Sequence, residues 1–327
     1  PSRFSSLGDK TIPFLNYAKR AFAASWVIVI LGVGGFIYHF DSAFGIDFRG
    51  GDEISVSYTE RLNPAQIEEV AQSQNLGEVI TIYQTPLGAA SEIISIQTEV
   101  EQGEAVFNAL ATAYPQNGLE LQGATQIGSS VGAEVQSSAL WSMGIALLCI
   151  LFYIAVRFEF GYGLGALVAT VHDVLMTIGI FVLLGEFLGW GSGQFTAPMI
   201  AAVLMTVGYS INDTIVVFDR IREELELNPG MNLKKVIHLS INRVLSRTIL
   251  TSLTTLFASL ALYLFGAGVI VDFALVFLLG IITGTFSSIF IASPVFYWYH
   301  KGDRKHVEKG EILPSYDWTA ENKSGNN

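Results

Sequence analysis

Charge and cysteine are what this sequence has least of. Asp, Glu, Lys and Arg make up 14% of its 327 residues against 51% hydrophobic residues, and the mean hydropathy is +0.46. A soluble domain carries about a quarter charged residues, so a water-soluble globule is excluded as the whole of the molecule. The single cysteine, Cys149, sits inside an apolar run, so no disulfide can staple an exported part of the chain. There is no Gly-x-x-x-x-Gly-Lys-Ser/Thr loop and no His-Glu-x-x-His pair, which excludes ATP hydrolysis by that loop and a zinc-protease site. The net charge of −11 argues against nucleic acid as a partner, because phosphate backbones select basic surfaces. No metal or organic cofactor is expected.

What is present is a set of long apolar runs, at residues 21–40, 139–156, 162–184, 195–218, 248–265 and 273–298. Each is close to the ~20 residues that cross the hydrocarbon of a bilayer. The first lacks a small-residue cleavage signature at its end, so it is expected to stay as an anchor. Lys and Arg set the expected orientation, because loops rich in them are retained on the cytoplasmic side. Of the 18 basic residues, 16 fall in residues 1–20, in the 157–161 and 219–247 connections, or after residue 298; Arg49 and Arg61 are the exceptions. The fold class expected is a polytopic α-helical membrane protein with six transmembrane helices and both termini in the cytoplasm. Its parts are a cytoplasmic segment at 1–20, a first helix at 21–40, an external domain at 41–136, a five-helix bundle at 137–298 and a polar tail at 299–327.

The external segment holds 14 acidic residues and must fold on an apolar core of its own. Alternation predicts strands at 53–58, 78–83, 92–98 and 119–127. Asn63 and Pro64 read as the cap and first residue of a helix running to Gln74, and a second helix is predicted at 103–114. The order β-α-β-β-α-β is the ferredoxin-like α+β arrangement. Glycines at both junctions with the membrane part predict hinges at residues 47–51 and near 128–132.

Ionisable residues inside apolar spans are costly there and point to function. Asp213 lies on the fourth span, about 9 Å beyond its centre on the cytoplasmic side. Thr206, Ser210 and Asp213 share one face of that helix, a polar stripe expected to meet a partner subunit rather than lipid. Gly280 and Gly284 have the spacing that lets helices approach closely. His172 and Asp173 fall near the centre of the third span, as a structural hydrogen-bonded pair or as part of a relay. Arg247 opens the fifth span, either snorkelling to the headgroups or turning inward to pair with Asp213. Without a nucleotide site, the energy source expected is an ion gradient, worth about 2.3 kcal/mol per charge per 100 mV.

Three runs carry a family resemblance. Gly45-Ile46-Asp47-Phe48-Arg49-Gly50-Gly51 follows the first span, Gly208-Tyr209-Ser210-Ile211-Asn212-Asp213-Thr214 continues through Asp219 to Arg222 in the fourth, and Ile241-Asn242-Arg243-Val244-Leu245-Ser246-Arg247-Thr248 enters the fifth. Together they resemble SecF, a subunit of the bacterial Sec protein-export machinery in the resistance-nodulation-division superfamily. Arg49 departs from that family's usual threonine and is closer to SecD. The resemblance implies an inner-membrane half-transporter that pairs with SecD beside the SecYEG channel. YidC- and YajC-type proteins, the exported unfolded polypeptide and the bilayer are its further implied partners. Proton-motive force would draw polypeptide outward, with sodium as an alternative ion. It also implies that Asp213 and Arg247 take part in proton conduction. The residues themselves add Ser210, Asn212, Thr214, His172 and Asp173 as candidate relay positions, and Asp47, Arg49, Gly50 and Gly51 as the hinge motif. Two other roles stay open: a scaffold that conducts nothing, and half of a small-molecule exporter.

Overall fold

The computed structural model describes residues 12–38, 43–77, 79–84, 92–157, 159–188, 193–266 and 269–307. Residues 1–11 and 308–327 of the two expected tails, together with Phe40, Asp41 and Glu78, lie outside the described residues. Among the described residues, six helices are long and apolar enough to cross a membrane. They are α1 (Phe14–Tyr38), α5 (Ser129–Arg157), α6 (Phe160–Leu188), α7 (Ala197–Leu227), α8 (Leu233–Phe265) and α9 (Val269–Ser287). The last passes through one π turn at Ser288–Ala292 into α10 (Ser293–Tyr299).

These helices outrun the apolar stretches that announce them. An α-helix satisfies its own backbone, so it continues past the hydrocarbon wherever one of its faces can pack. Residues 14–20 extend α1 and residues 129–136 open α5. The largest difference lies at 219–247, expected as a connection and found as a helical hairpin whose turn is confined to residues 228–232. Phe218, Ile221 and Leu225 of α7 meet Leu233, Val236, Ile237 and Ile241 of α8 in one buried cluster. Asn232 caps α8 by accepting from Lys235 N at 2.9 Å. Glu224 is fully buried here. It accepts from Arg220, from Arg243 and from Asn228 Nδ2 at 2.8 Å, the pairing that a buried carboxylate requires. Arg304 donates to the carbonyl oxygens of Leu225, Asn228 and Met231, tying the chain beyond α10 to the end of α7.

Between α1 and α5 stands a small sheet with two helices. A single turn, α2 (Ile46–Arg49), leads into β1 (Gly51–Ser57), α3 (Pro64–Ser73), β2 (Ile80–Gln84), β3 (Ile93–Thr98), α4 (Gly103–Ala113) and β4 (Glu120–Ile127). The strands lie in the order β2-β3-β1-β4, antiparallel at every pairing. Ile54, Val56, Ile94 and Ile96 on one face bury against Ile67 of α3 and Val106 and Leu110 of α4. The opposite face is polar: Glu53 accepts from Ser95 Oγ at 2.6 Å and from Gln97 Nε2 at 3.3 Å. Asn63 and Gln66 form a reciprocal cap at the start of α3. Burial, with the Glu92 carboxylate beside it, pushes the Tyr58 phenol up from its ordinary value.

Candidate functional site

A polar seam runs through the bundle where α6, α7, α8 and α9 meet. Glycine makes it narrow: a Cβ added at Gly280 would stand 2.0 Å from Thr206 Oγ1, and one at Gly284 would stand 2.8 Å from Ser210 Cβ. Such backbone contact is the use of small residues at helix crossings. Here the crossing is between α9 and α7 of the same chain. Thr206 and Ser210 are therefore buried internally, and the expectation that they face a partner subunit is overturned. The exposed line of α7 is a different one, through Met205, Gly208, Asn212 and Asp219.

Asp173 sits at the centre of the seam with no solvent exposure. Its Oδ2 accepts from Ser210 Oγ at 2.5 Å and from Ser287 Oγ at 2.6 Å, and its Oδ1 lies 3.0 Å from His172 Nδ1. Three helices thus meet on one carboxylate. His172 is equally buried, packed edge-on against Trp26 of α1 with ring centres 5.7 Å apart. Its Nε2 has no hydrogen-bond partner among the described residues. A further bond, Thr177 Oγ1 to Thr283 Oγ1 at 3.1 Å, joins α6 to α9 on the same seam.

Asp213 lies one turn beyond Ser210 on α7, 2% exposed. Its Oδ2 is 3.4 Å from Ser252 Oγ of α8, and Ser252 Oγ is 2.7 Å from Thr285 Oγ1 of α9. A hydroxyl donates to a carboxylate and accepts from a carboxylic acid, so this pocket can house either protonation state. Thr214 is buried beside Asp213, whereas Asn212 is exposed. Arg247 is not brought to Asp213. It is exposed on α8 and lines an outward cleft with Asp219, Glu223, Arg220 and Arg243, and it forms no ion pair among the described residues. The helix geometry explains this: α8 runs antiparallel to α7, so Ser252 stands level with Asp213 while Arg247, more than a turn earlier, stands level with a later part of α7. Sequence reasoning missed Thr285 and Ser287. The available signal was the close spacing of Thr283, Thr285, Ser287 and Ser288 inside an apolar run.

Comparison with known proteins gives this seam a context. Residues 107–302 match the family described as "Protein export membrane protein SecD/SecF, C-terminal". The protein translocase subunit SecF of Thermodesulfovibrio yellowstonii is 38% identical, over 88% of this chain and 95% of the relative. The chain belongs to the SecF family. A SecF of Rickettsia prowazekii is 34% identical over 91% of this chain and 94% of its own length. Among solved structures, SecDF of Thermus thermophilus, a translocon-associated membrane protein, superposes with a TM-score of 0.78 at 29% identity. The match covers 90% of this chain but 39% of that one. SecDF in a super-membrane-facing form gives a TM-score of 0.63 at 31% identity. The chain is thus a member of a family of Sec translocase accessory subunits, embedded in the membrane by several apolar helices.

The glycine motif of this SecF-family chain lies at the end of the bundle next to the small sheet. Gly50 and Gly51 have φ of 74° and 141°, a region that favours glycine. They are also tightly packed: a Cβ at Gly50 would meet Ser129 Cα at 2.7 Å, and one at Gly51 would meet Thr98 O at 2.5 Å. The segment expected as a loose hinge is a close-fitting joint between α2, β1 and α5. Arg49 is exposed beside a groove lined by Phe44, Ile80, Thr98 and Glu99. Asp47 reaches instead to the first residue of α7, Ala197, whose N–H it accepts at 3.0 Å.

Proposed function

We propose that the chain works with SecD as a proton-driven subunit of the Sec translocase, drawing polypeptide outward at a late stage of export through SecYEG. The observation that carries this reading is Asp213, a carboxylate buried in a membrane-spanning helix and met by hydroxyls that suit both its charged and its neutral form. The membership in the SecF family and the likeness to SecDF support the choice of partner and process.

Proton exchange at Asp213 is then linked to the position of Arg247. The described conformer is the one in which Arg247 has withdrawn from Asp213; its approach would draw α7 and α8 together and produce a second packing. The small sheet with its two helices is a ferredoxin-like domain, a reading supported by its strand order and by the covering of one face only. We place it on the periplasmic side and both termini in the cytoplasm, in keeping with the distribution of Lys and Arg. The test uses inverted vesicles holding the complete translocase with its SecD partner. Asp213→Asn is expected to lower gradient-dependent export of a preprotein at least about tenfold at matched expression. Export at the parent level would leave the chain as a scaffold.

A further inference from the structure

The outer end of α7 is held by a residue 150 positions earlier in the chain. The N–H groups of a helix's first turn find no partner within the helix. At α7 the residue placed to serve them, Thr196, makes no capping hydrogen bond through its side chain, and its hydroxyl is buried without a partner among the described residues. The acceptor is delivered from α2: Asp47 Oδ2 takes the Ala197 N–H at 3.0 Å. The charge of Asp47 thereby faces the positive end of the α7 dipole.

The surroundings make this contact a joint. Gly45 N–H donates to Phe195 O at 3.0 Å, Phe195 N–H donates to Ala43 O at 2.6 Å, and the rings of Phe48 and Phe195 stack 5.8 Å apart. On the other side α2 runs straight into β1 through Gly50 and Gly51, and a Cβ at Gly132 of α5 would lie 2.8 Å from Gly50 N. Asp47 is therefore attached to the sheet by four residues of backbone and to α7 by its side chain. Ala197 and Asp213 lie on the same unbroken helix, 16 residues or about 24 Å apart.

We propose that Asp47 is a positioning residue that couples the external domain to the proton site, passing displacement between the sheet and α7. This rests on the reading of Asp213 as the coupling carboxylate. If both hold, Asp47 governs how much export each proton yields, while proton flux itself persists. The experiment measures proton flux and preprotein export together in inverted vesicles carrying the full translocase, with the amount of SecD-bound chain as a control. Asp47→Ala should keep flux within about twofold and lower export per proton about tenfold. Asp47→Asn, which retains an acceptor oxygen without the charge, should give an intermediate ratio. An unchanged ratio in Asp47→Ala overturns the proposal, and so does an equal fall of flux and export, which would make Asp47 a support of the conducting bundle. Should Asp47→Ala fail to accumulate, an unchanged ratio in Asp47→Asn overturns it instead. Failure of the underlying reading looks different, because Asp213→Asn would then retain both flux and export whatever Asp47 does.

Discussion

Asp173 and Asp213 are both buried carboxylates on apolar helices, yet they meet opposite surroundings. Asp173 accepts two short hydrogen bonds, at 2.5 and 2.6 Å, and lies 3.0 Å from a histidine nitrogen, so that α6, α7 and α9 converge on it. Asp213 has a longer contact, at 3.4 Å, from Ser252, whose hydroxyl is shared with Thr285, and Thr285 stands beside the same carboxylate. Both carboxylates face hydroxyls, but the one bound by several short hydrogen bonds is the more firmly held, and the one with the longer contact loses less when its charge changes. The comparison divides the seam into a tight knot at Asp173 and a looser site at Asp213, the carboxylate of the proposed proton exchange, joined by Ser210 one turn away on α7.

The strongest way to break that division is to cut the knot. Asp173→Ala removes the acceptor shared by Ser210, Ser287 and His172, and is expected to destabilise the bundle by about 3–5 kcal/mol. Thermal unfolding of the purified complex in detergent would show it, and an unaltered midpoint would mean that the seam does not hold the helices together. Next comes the crossing beneath it. Gly280→Val drives a side chain into Thr206, with an expected loss of about 1–3 kcal/mol, read by the same unfolding experiment.

At Asp213 the expectation reverses, with little change in stability and a large change in activity. Asp213→Asn keeps the shape of the side chain and one acceptor oxygen, so its unfolding should stay within about 1 kcal/mol of the parent while gradient-dependent export falls. Equal destabilisation in Asp173→Ala and Asp213→Asn would erase the distinction between the two sites. The smallest structural effect is expected at Arg247, which is exposed and forms no ion pair among the described residues. Arg247→Met should shift stability by no more than about 0.5 kcal/mol, measured by denaturant unfolding of the complex. A larger loss would place Arg247 against Asp213 in the resting protein.

Much of the membrane part is legible in the sequence, because hydrocarbon demands length and apolarity and both are visible in one dimension. All six spans and the Asn63 cap come from local pattern alone. The helix ends are harder to read, since nothing apolar marks them: the α7–α8 hairpin continues on contacts between residues such as Ile221 and Val236, whose meeting depends on the turn between them. The same holds for the site. Asp213 and Asp173 stand out as charges in apolar runs, but which hydroxyls they meet depends on a glycine crossing at Gly280 and Gly284 that reads equally well as a subunit contact. The Asp47 link joins α2 to α7 and leaves no periodic signal. For Arg247 the sequence leaves two orientations open, and the antiparallel rise of α8 carries the arginine away from Asp213.

The most direct measurement of the difference between the two aspartates is infrared difference spectroscopy of the purified complex across a change in pH, on the parent and on the Asp213→Asn and Asp173→Asn variants. A band from a protonated carboxylic acid that appears and disappears with pH, is abolished by Asp213→Asn and survives Asp173→Asn is the predicted result. The same band persisting unchanged in Asp213→Asn would contradict the assignment of Asp213 as the exchanging carboxylate.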